Sequence, residues 1–312
     1  MFSLIYSKKD VASLTLYEAF KEVERSFNNL DIYFYEYPLE VVYADRVDQY
    51  LPRDVETIIF LSRHSAKSNV PTISVHTPGN FGENRLGGRP YELAIANPCL
   101  IGYILREYQK NIVNYNLNYT PTLEVTHHGP TDLRVPALFV ELGPQESNWR
   151  DKVAAECIAL SVFNALSKYI YNRNCIKALG IGGPHYSPNF TKYILKNDNV
   201  GIGHIISKYV FNDFSEKIVE KAISFNGGID LVLIDWKGLK GFVRQRLLEY
   251  KGNSKVPEEI TLAQDLIIFG NLASPNEMKI WSVPSELFTI KTPGSPPTSL
   301  WGWRTTSTEG GV

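Results

Sequence analysis

Short runs rich in β-branched and aromatic residues alternate along this chain with longer stretches of helical periodicity. FSLIY at 2–6 and IYFYE at 32–36 predict strands on either side of a helix over 11–27, and ETIIFLS at 56–62 and TISVH at 72–76 predict two more strands. Over 98–113, Leu100, Ile101, Ile104, Leu105 and Ile112 recur at the spacing that gathers them on one helical face. TLEVTH (122–127) and PALFVEL (136–142) follow as strands. The longest predicted helix covers 149–170, where Val153, Ala154, Cys157, Ile158, Leu160, Ser161 and Leu166 keep helical spacing. CIKALGIGG (175–183), VGIGHIIS (200–207) and IDLVLID (229–235) supply three further strands, separated by short helices. Strands alternating with helices, several of them apolar throughout, predict an α/β three-layer sandwich with a mostly parallel or mixed sheet covered on both faces.

The pattern stops near Asn271, and the chain closes on PGSPPTSLWGWRTTSTEGGV, rich in Pro, Gly, Ser and Thr and without periodicity. We therefore expect one α/β domain over 1–271 and a poorly ordered extension over 272–312. With 312 residues and 44% hydrophobic content the domain can bury a substantial core. No uninterrupted apolar run reaches about 18 residues, so no membrane span is expected, and MFSLIYSKKD lacks the basic start of a secretory signal. The expectation is a cytoplasmic monomer. Cys99, Cys157 and Cys175 lack CxxC spacing and read as three separate small core residues. A net charge of −1 means that any nucleic-acid contact must come from a local basic patch.

The histidines change the picture. Of the six, His64 ends ETIIFLSRH, His76 ends TISVH before Thr77-Pro78-Gly79, and His127-His128 precede the Gly129-Pro130 turn. His185 sits in GIGGPHYSPNF after a predicted strand, and His204 lies within VGIGHIIS. Ligands of open α/β sheets bind beyond the carboxyl ends of strands, so residues in such places tend to converge. Imidazole is the commonest ligand of transition metals, and a hydrolytic zinc site takes three nitrogen or oxygen ligands and keeps a position for water. We expect a metal held by His127, His128, His185 and His204, with His64 and His76 serving catalysis. Without HExxH, spacing alone does not define the ligands. Were the strand to continue through 127–128, the two adjacent histidines would face opposite ways.

Glu141 interrupts the apolar PALFVEL, a costly position unless it meets a cation or a proton, and is a candidate ligand, orienter or general base. Asp132 and Glu146 lie nearby in sequence, the latter also readable as a helix N-terminal acid. In GIGGP, Gly182 and Gly183 would let backbone N–H groups approach an oxyanion, although a plain turn explains them equally well. Ser65 and Ser68 lack the GxSxG setting of a serine nucleophile.

Four ordered stretches, SRHSAKSNVPTISVHTPGNF (62–81), EVTHHGPTDLRVPALFVELGPQESNWRD (124–151), GIGGPHYSPNFTKY (180–193) and GIGHIISKY (201–209), resemble the archaeal and plant D-aminoacyl-tRNA deacylases. The resemblance runs over roughly 1–255 and leaves the tail uncovered. It implies a fold similar to peptidyl-tRNA hydrolase, a Zn2+ cofactor, and hydrolysis of the ester between a D-amino acid and tRNA. All six histidines fall inside the matching stretches. A tRNA substrate needs phosphate contacts, and WKGLKGFVRQRLLEYKGNSK (236–255) offers Lys237, Lys240, Arg244, Arg246, Lys251 and Lys255 as a basic strip, otherwise readable as a solvated helix face, with Lys67, Lys192 and Lys208 nearer the pocket. Tyr186, Pro78 and Gly79 are further candidate substrate contacts, and close backbone approach at Pro78-Gly79 or at Gly182-Gly183 would leave no room for an L side chain. Two other readings stand beside this one: a metal-independent peptidyl-tRNA or nucleoside hydrolase, and a non-catalytic RNA-binding module.

Overall fold

The structure is a computed structural model that describes residues 1–210, 216–245, 260–263 and 266–270. Its elements in chain order are β1 (Phe2–Tyr6), α1 (Val11–Glu24), β2 (Ile32–Glu36), β3 (Thr57–Arg63), β4 (Thr72–His76), α2 (Pro98–Asn114), β5 (Thr120–Leu123), β6 (Ala137–Gly143), α3 (Glu146–Trp149), α4 (Lys152–Tyr171), β7 (Ile176–Ile181), α5 (Pro188–Lys196), β8 (Val200–Ile206), α6 (Glu216–Phe225), β9 (Leu231–Asp235), β10 (Ile260–Ala263) and β11 (Leu266–Gly270). The three-layer α/β architecture is as expected, but the described strands divide between two sheets, ordered β2-β1-β3-β6-β4-β5 and β10-β11-β9-β7-β8.

Alternation along β6 decides what each face of the first sheet does. Leu138, Val140 and Leu142 point into the main core with Phe20 of α1, Ile104 of α2 and Phe163 of α4. Each such side chain, fully buried, contributes roughly 1.5–3 kcal/mol. Ala137 and Phe139 face a second core, closed by the 41–55 segment through Val41, Val47 and Val55. Glu141 shares the parity of Phe139 and so lies on this second face, at the sheet's centre.

Helix α2 packs on both sheets, its Leu100, Ile101 and Ile104 sharing one core with β4 of the first and Ile202 of β8 in the second. On the far side of the second sheet, Val219 and Ala222 of α6 cover Leu179, Ile206 and Val232. Asp10 starts α1 by accepting from the Ala12 and Ser13 N–H groups. Asp151 does the same for α4, so the helix expected over 149–170 begins at Lys152, and the short α3 precedes it. By length and composition α4 could cross a membrane, yet Cys157, Ile158, Val162 and Leu166 are buried in the core.

Cys99 and Cys175 are not separate core residues: they form a disulfide that ties the first turn of α2 to the approach to β7, while Cys157 is free and buried. The strand expected over 122–127 ends at Leu123. From there the chain crosses between the sheets, with Val125 N–H donating to His185 O and Thr126 N–H to Ile205 O of β8. The tail over 272–312 and Arg246, Lys251 and Lys255 of the basic strip lie outside the described residues.

Candidate active site

Glu141 is the hub. Strand β3 runs parallel to β6 and ends against Leu142, whereas β4 runs antiparallel and ends with His76 against Phe139. His64 and His76 therefore reach Glu141 from opposite directions along the strand: His64 Nδ1 lies 3.4 Å from one oxygen and His76 Nε2 3.6 Å from the other. Convergence here comes from a mixed sheet around one central acid, not from a shared row of strand ends.

Because β5 stops at Leu123, the 124–128 segment is free to turn both adjacent histidines the same way. His128 takes a left-handed backbone with φ 45, and its ring centroid lies 4.3 Å from that of His127. Three rings are held in one tautomer by backbone carbonyls: Nδ1 of His127 donates to Val125 O at 2.8 Å, that of His128 to Gly129 O at 2.7 Å, and that of His76 to Thr77 O at 3.3 Å. In its neutral form each ring then carries its lone pair on Nε2, which is how second-shell carbonyls prepare metal ligands. His76, His127 and His128 offer ligand atoms within 4.8 Å of one another, and so do the sets His64, Glu124, His185 and His76, Glu124, Glu141.

Glu124 is the functional candidate that sequence reasoning missed. It is 1% exposed, and His185 Nε2 lies 2.6 Å and His64 Nδ1 3.1 Å from its carboxylate. Neither of its oxygens receives a properly directed hydrogen bond, and His76 Nε2 is likewise buried without one. Orphaned nitrogen and oxygen donors aimed into one space, of types that suit zinc, fit a bound cation.

The electrostatics agree. Burial penalises the charged forms of Glu124 and Glu141, yet the surrounding histidines outweigh it and hold both carboxyls well below their ordinary range. Burial also opposes a charged His64, but the two carboxylates push its pKa up to about 12. His127 is driven well below the ordinary range by burial and by repulsion from His128 and His76, and stays neutral. Two buried carboxylates thus demand positive charge, which protons on His64 and His76 supply in the metal-free chain. Two cavities of about 390 and 300 Å³ meet here, with Leu86, His127, His128 and His185 common to both.

A sequence model of the D-aminoacyl-tRNA deacylase family matches residues 51–258. The D-aminoacyl-tRNA deacylase of Thermococcus onnurineus is 35% identical over 259 residues, covering 78% of this chain and 93% of the relative. That of Methanocaldococcus jannaschii is 34% identical over 267 residues, covering 83% and 98%. This chain belongs to the D-aminoacyl-tRNA deacylase family. A crystal structure of a conserved protein of unknown function superposes on the deacylase with a TM-score of 0.73 at 28% identity, covering 81% of this chain and 92% of the other.

Not every expected residue joins the site of the deacylase. His204 is not placed to bind metal: Nε2 donates to Ala94 O at 3.0 Å and Nδ1 accepts from Thr126 Oγ1 at 3.1 Å, which occupies both nitrogens. Burial lowers its pKa to about 4, so it is a neutral clamp between the bridging segment and β8. Gly182 is not an available oxyanion donor, because its N–H is spent on Ile206 O at 2.8 Å. Gly182 and Gly183 take positive φ of 102 and 79 and pack beside Asp235, which accounts for the glycines as a turn. Gly79 lines the larger cavity, but a Cβ there would strike Leu93 and Thr126 rather than open space; Pro78 bridges to His127. Tyr186 places its hydroxyl 2.9 Å from His64 Nε2.

In the basic strip, Arg244 donates to Trp236 O and Lys237 O and lies over the Trp236 ring, which makes it a brace of its own turn rather than a free phosphate contact. Lys237 and Lys240 lie on the same turn, and Lys192 is exposed on α5. Asp132 pairs with Arg89, and Glu146 pairs with Arg150 at the start of α3, as a helix N-terminal acid would.

Proposed function

We propose that the histidine–carboxylate cluster is the centre at which this deacylase hydrolyses the ester of tRNA charged with a D-amino acid, and that it works with Zn2+. What carries the reading is the gathering of ligand atoms of His76, His127 and His128 within 4.8 Å of one another, beside the unsatisfied carboxylate of Glu124. His76, His127 and His128, with Glu141, would hold the ion, and His185 with Glu124 offers donors for a second. When bound, zinc supplies Lewis acidity and an acidified water to the site. Glu124 and Glu141, 3.1 and 3.4 Å from His64 Nδ1, orient that ring, and His64 lines the smaller cavity, where it can hold a proton for the departing ribose oxygen. Tyr186 positions the far nitrogen of that ring.

A metal-free alternative draws on the 2.6 Å approach of His185 Nε2 to Glu124, a histidine and a carboxylate close enough to exchange a proton without an ion. Exhaustive chelation separates the two. Loss of D-aminoacyl-tRNA hydrolysis that zinc restores supports the metal reading, whereas undiminished turnover overturns it. Tight tRNA binding without ester cleavage would leave only a binding module.

A further inference from the structure

The two cavities that meet at the histidines are chemically unlike. The smaller, of about 300 Å³, is walled by the acids Asp10, Glu40 and Glu141 with aliphatic Val41 and Val42, and its base Arg63 is already paired with Glu40 at 2.9 Å. The larger, of about 390 Å³, has Phe81 and Tyr209 among its lining residues together with Ser207 and Arg85. Among those lining residues Glu83 is the one acid, and it accepts a hydrogen bond from Tyr91 at 3.4 Å.

Phe81 is 5% exposed, whereas Tyr209 is 67% exposed. A large aromatic side chain left so open beside a cavity is a ready stacking surface. Lys208 lies over the same ring, with its ammonium 5.3 Å from the centroid. No acid among the described residues pairs with Arg85 or Lys208, and Arg85 is carried on a loop that Asn80 pins by donating to the Gly87 and Arg89 carbonyls.

We infer that the 390 Å³ cavity is a nucleotide site that takes the terminal nucleoside of an RNA 3′ end and its 5′-phosphate, the base stacking on Tyr209 and the phosphate meeting Arg85 of the lining and Lys208 beside the Tyr209 ring. This deepens the deacylase reading and rests on it for the identity of the RNA. A phosphate cannot enter the smaller cavity without facing three acids, and that cavity offers no flat ring other than histidine to a base. It is left to the aminoacyl group, whose ammonium suits an acidic wall. The ester then spans the wall that the cavities share, against His127, His128 and His185.

The test is binding of adenosine 5′-monophosphate alone to the full chain, followed by titration calorimetry, beside KM and kcat for D-aminoacyl-tRNA. Tyr209→Ala should weaken the nucleotide by roughly 5- to 150-fold, as loss of one base–aromatic stack does, and raise KM more than it lowers kcat. Tyr209→Phe, which keeps the ring, should bind like wild type. Arg85→Gln should weaken the monophosphate but not adenosine, and Glu40→Gln should leave both unchanged. Absence of saturable binding, equal binding by wild type and Tyr209→Ala, or loss on Glu40→Gln would each overturn the nucleotide site. Hydrolysis of D-aminoacyl-tRNA that the monophosphate does not compete with would overturn this site while leaving the deacylase reading intact. Ring-dependent nucleotide binding without hydrolysis would do the reverse.

Discussion

Gly143→Ala is a small change with a calculable effect on the site. Gly143 ends β6, two residues after Glu141, and the chain of His64 crosses directly over it. A Cβ at this position would lie 2.2 Å from His64 O and 2.8 Å from His64 C and Cβ. Since real Cβ atoms essentially never approach closer than 3.0 Å, the His64 backbone must move by at least about 0.8 Å. It cannot do so freely, because His64 N–H donates to Leu142 O and His64 O accepts from Trp149 Nε1 at 2.8 Å. Overpacking of this kind costs about 1–3 kcal/mol of stability. A displacement near 1 Å of a reacting group costs on the order of 10²-fold in rate. Gly143→Ala should therefore fold with a lower denaturant midpoint, turn over D-aminoacyl-tRNA about 10²-fold more slowly, and leave KM nearly unchanged. Urea titration and steady-state kinetics on the same preparation check both. A variant with the lowered midpoint but a kcat within about twofold of wild type would show that His64 is not where the chemistry happens.

Glu124→Gln preserves shape and removes charge, and should reduce bound zinc or turnover by about 10–100-fold, measured by metal analysis and kinetics; unchanged values for both would remove Glu124 from the site. His204→Ala should lower stability by about 1–3 kcal/mol through the lost bonds to Thr126 and Ala94 while leaving metal content intact; loss of metal would make it a ligand after all. In the metal-free chain His64 has a raised pKa, so its contribution is fully present below about pH 6.5 and is lost as pH rises toward about 12. Folding stability should fall by up to about 1.4 kcal/mol per pH unit in that window, and His64→Gln should flatten the slope, as urea midpoints across pH will show. Reducing Cys99–Cys175, which closes a separation of 76 residues, should lower the melting temperature by the equivalent of up to about 4 kcal/mol; an unchanged melting temperature would mean that the bridge constrains nothing.

Much of the fold can be read from local pattern because the apolar faces of α1, α2 and α4 and the continuous apolar runs of β3, β6 and β9 leave little choice of element. What local pattern does not contain is which strands pair. The division into two sheets depends on the 124–128 segment leaving β5 and bridging to β8, and the meeting of Cys99 with Cys175 depends on how α2 lies against β7. The histidines stand out because they cluster at strand ends and turns. Glu141 stands out because it breaks an apolar run. Glu124 carries the same signal in weaker form: Thr122, Glu124 and Thr126 read as the polar face of an alternating strand, so an acid there needs no special explanation until the strand is seen to end at Leu123. His204 misleads for the opposite reason, since a histidine inside an apolar strand looks functional when its two nitrogens serve only Thr126 and Ala94.

The most direct test of a metal-centred hydrolytic site is zinc content together with D-aminoacyl-tRNA hydrolysis, measured on untagged wild-type chain and on alanine variants of His76, His127, His128 and Glu141. We expect at least one zinc per chain in the wild type, and joint loss of zinc and turnover in the ligand variants, with both recovered by wild-type protein when zinc is returned after chelation. Wild-type protein that is fully active after exhaustive chelation, or four variants that all keep zinc and near-normal turnover, would contradict it.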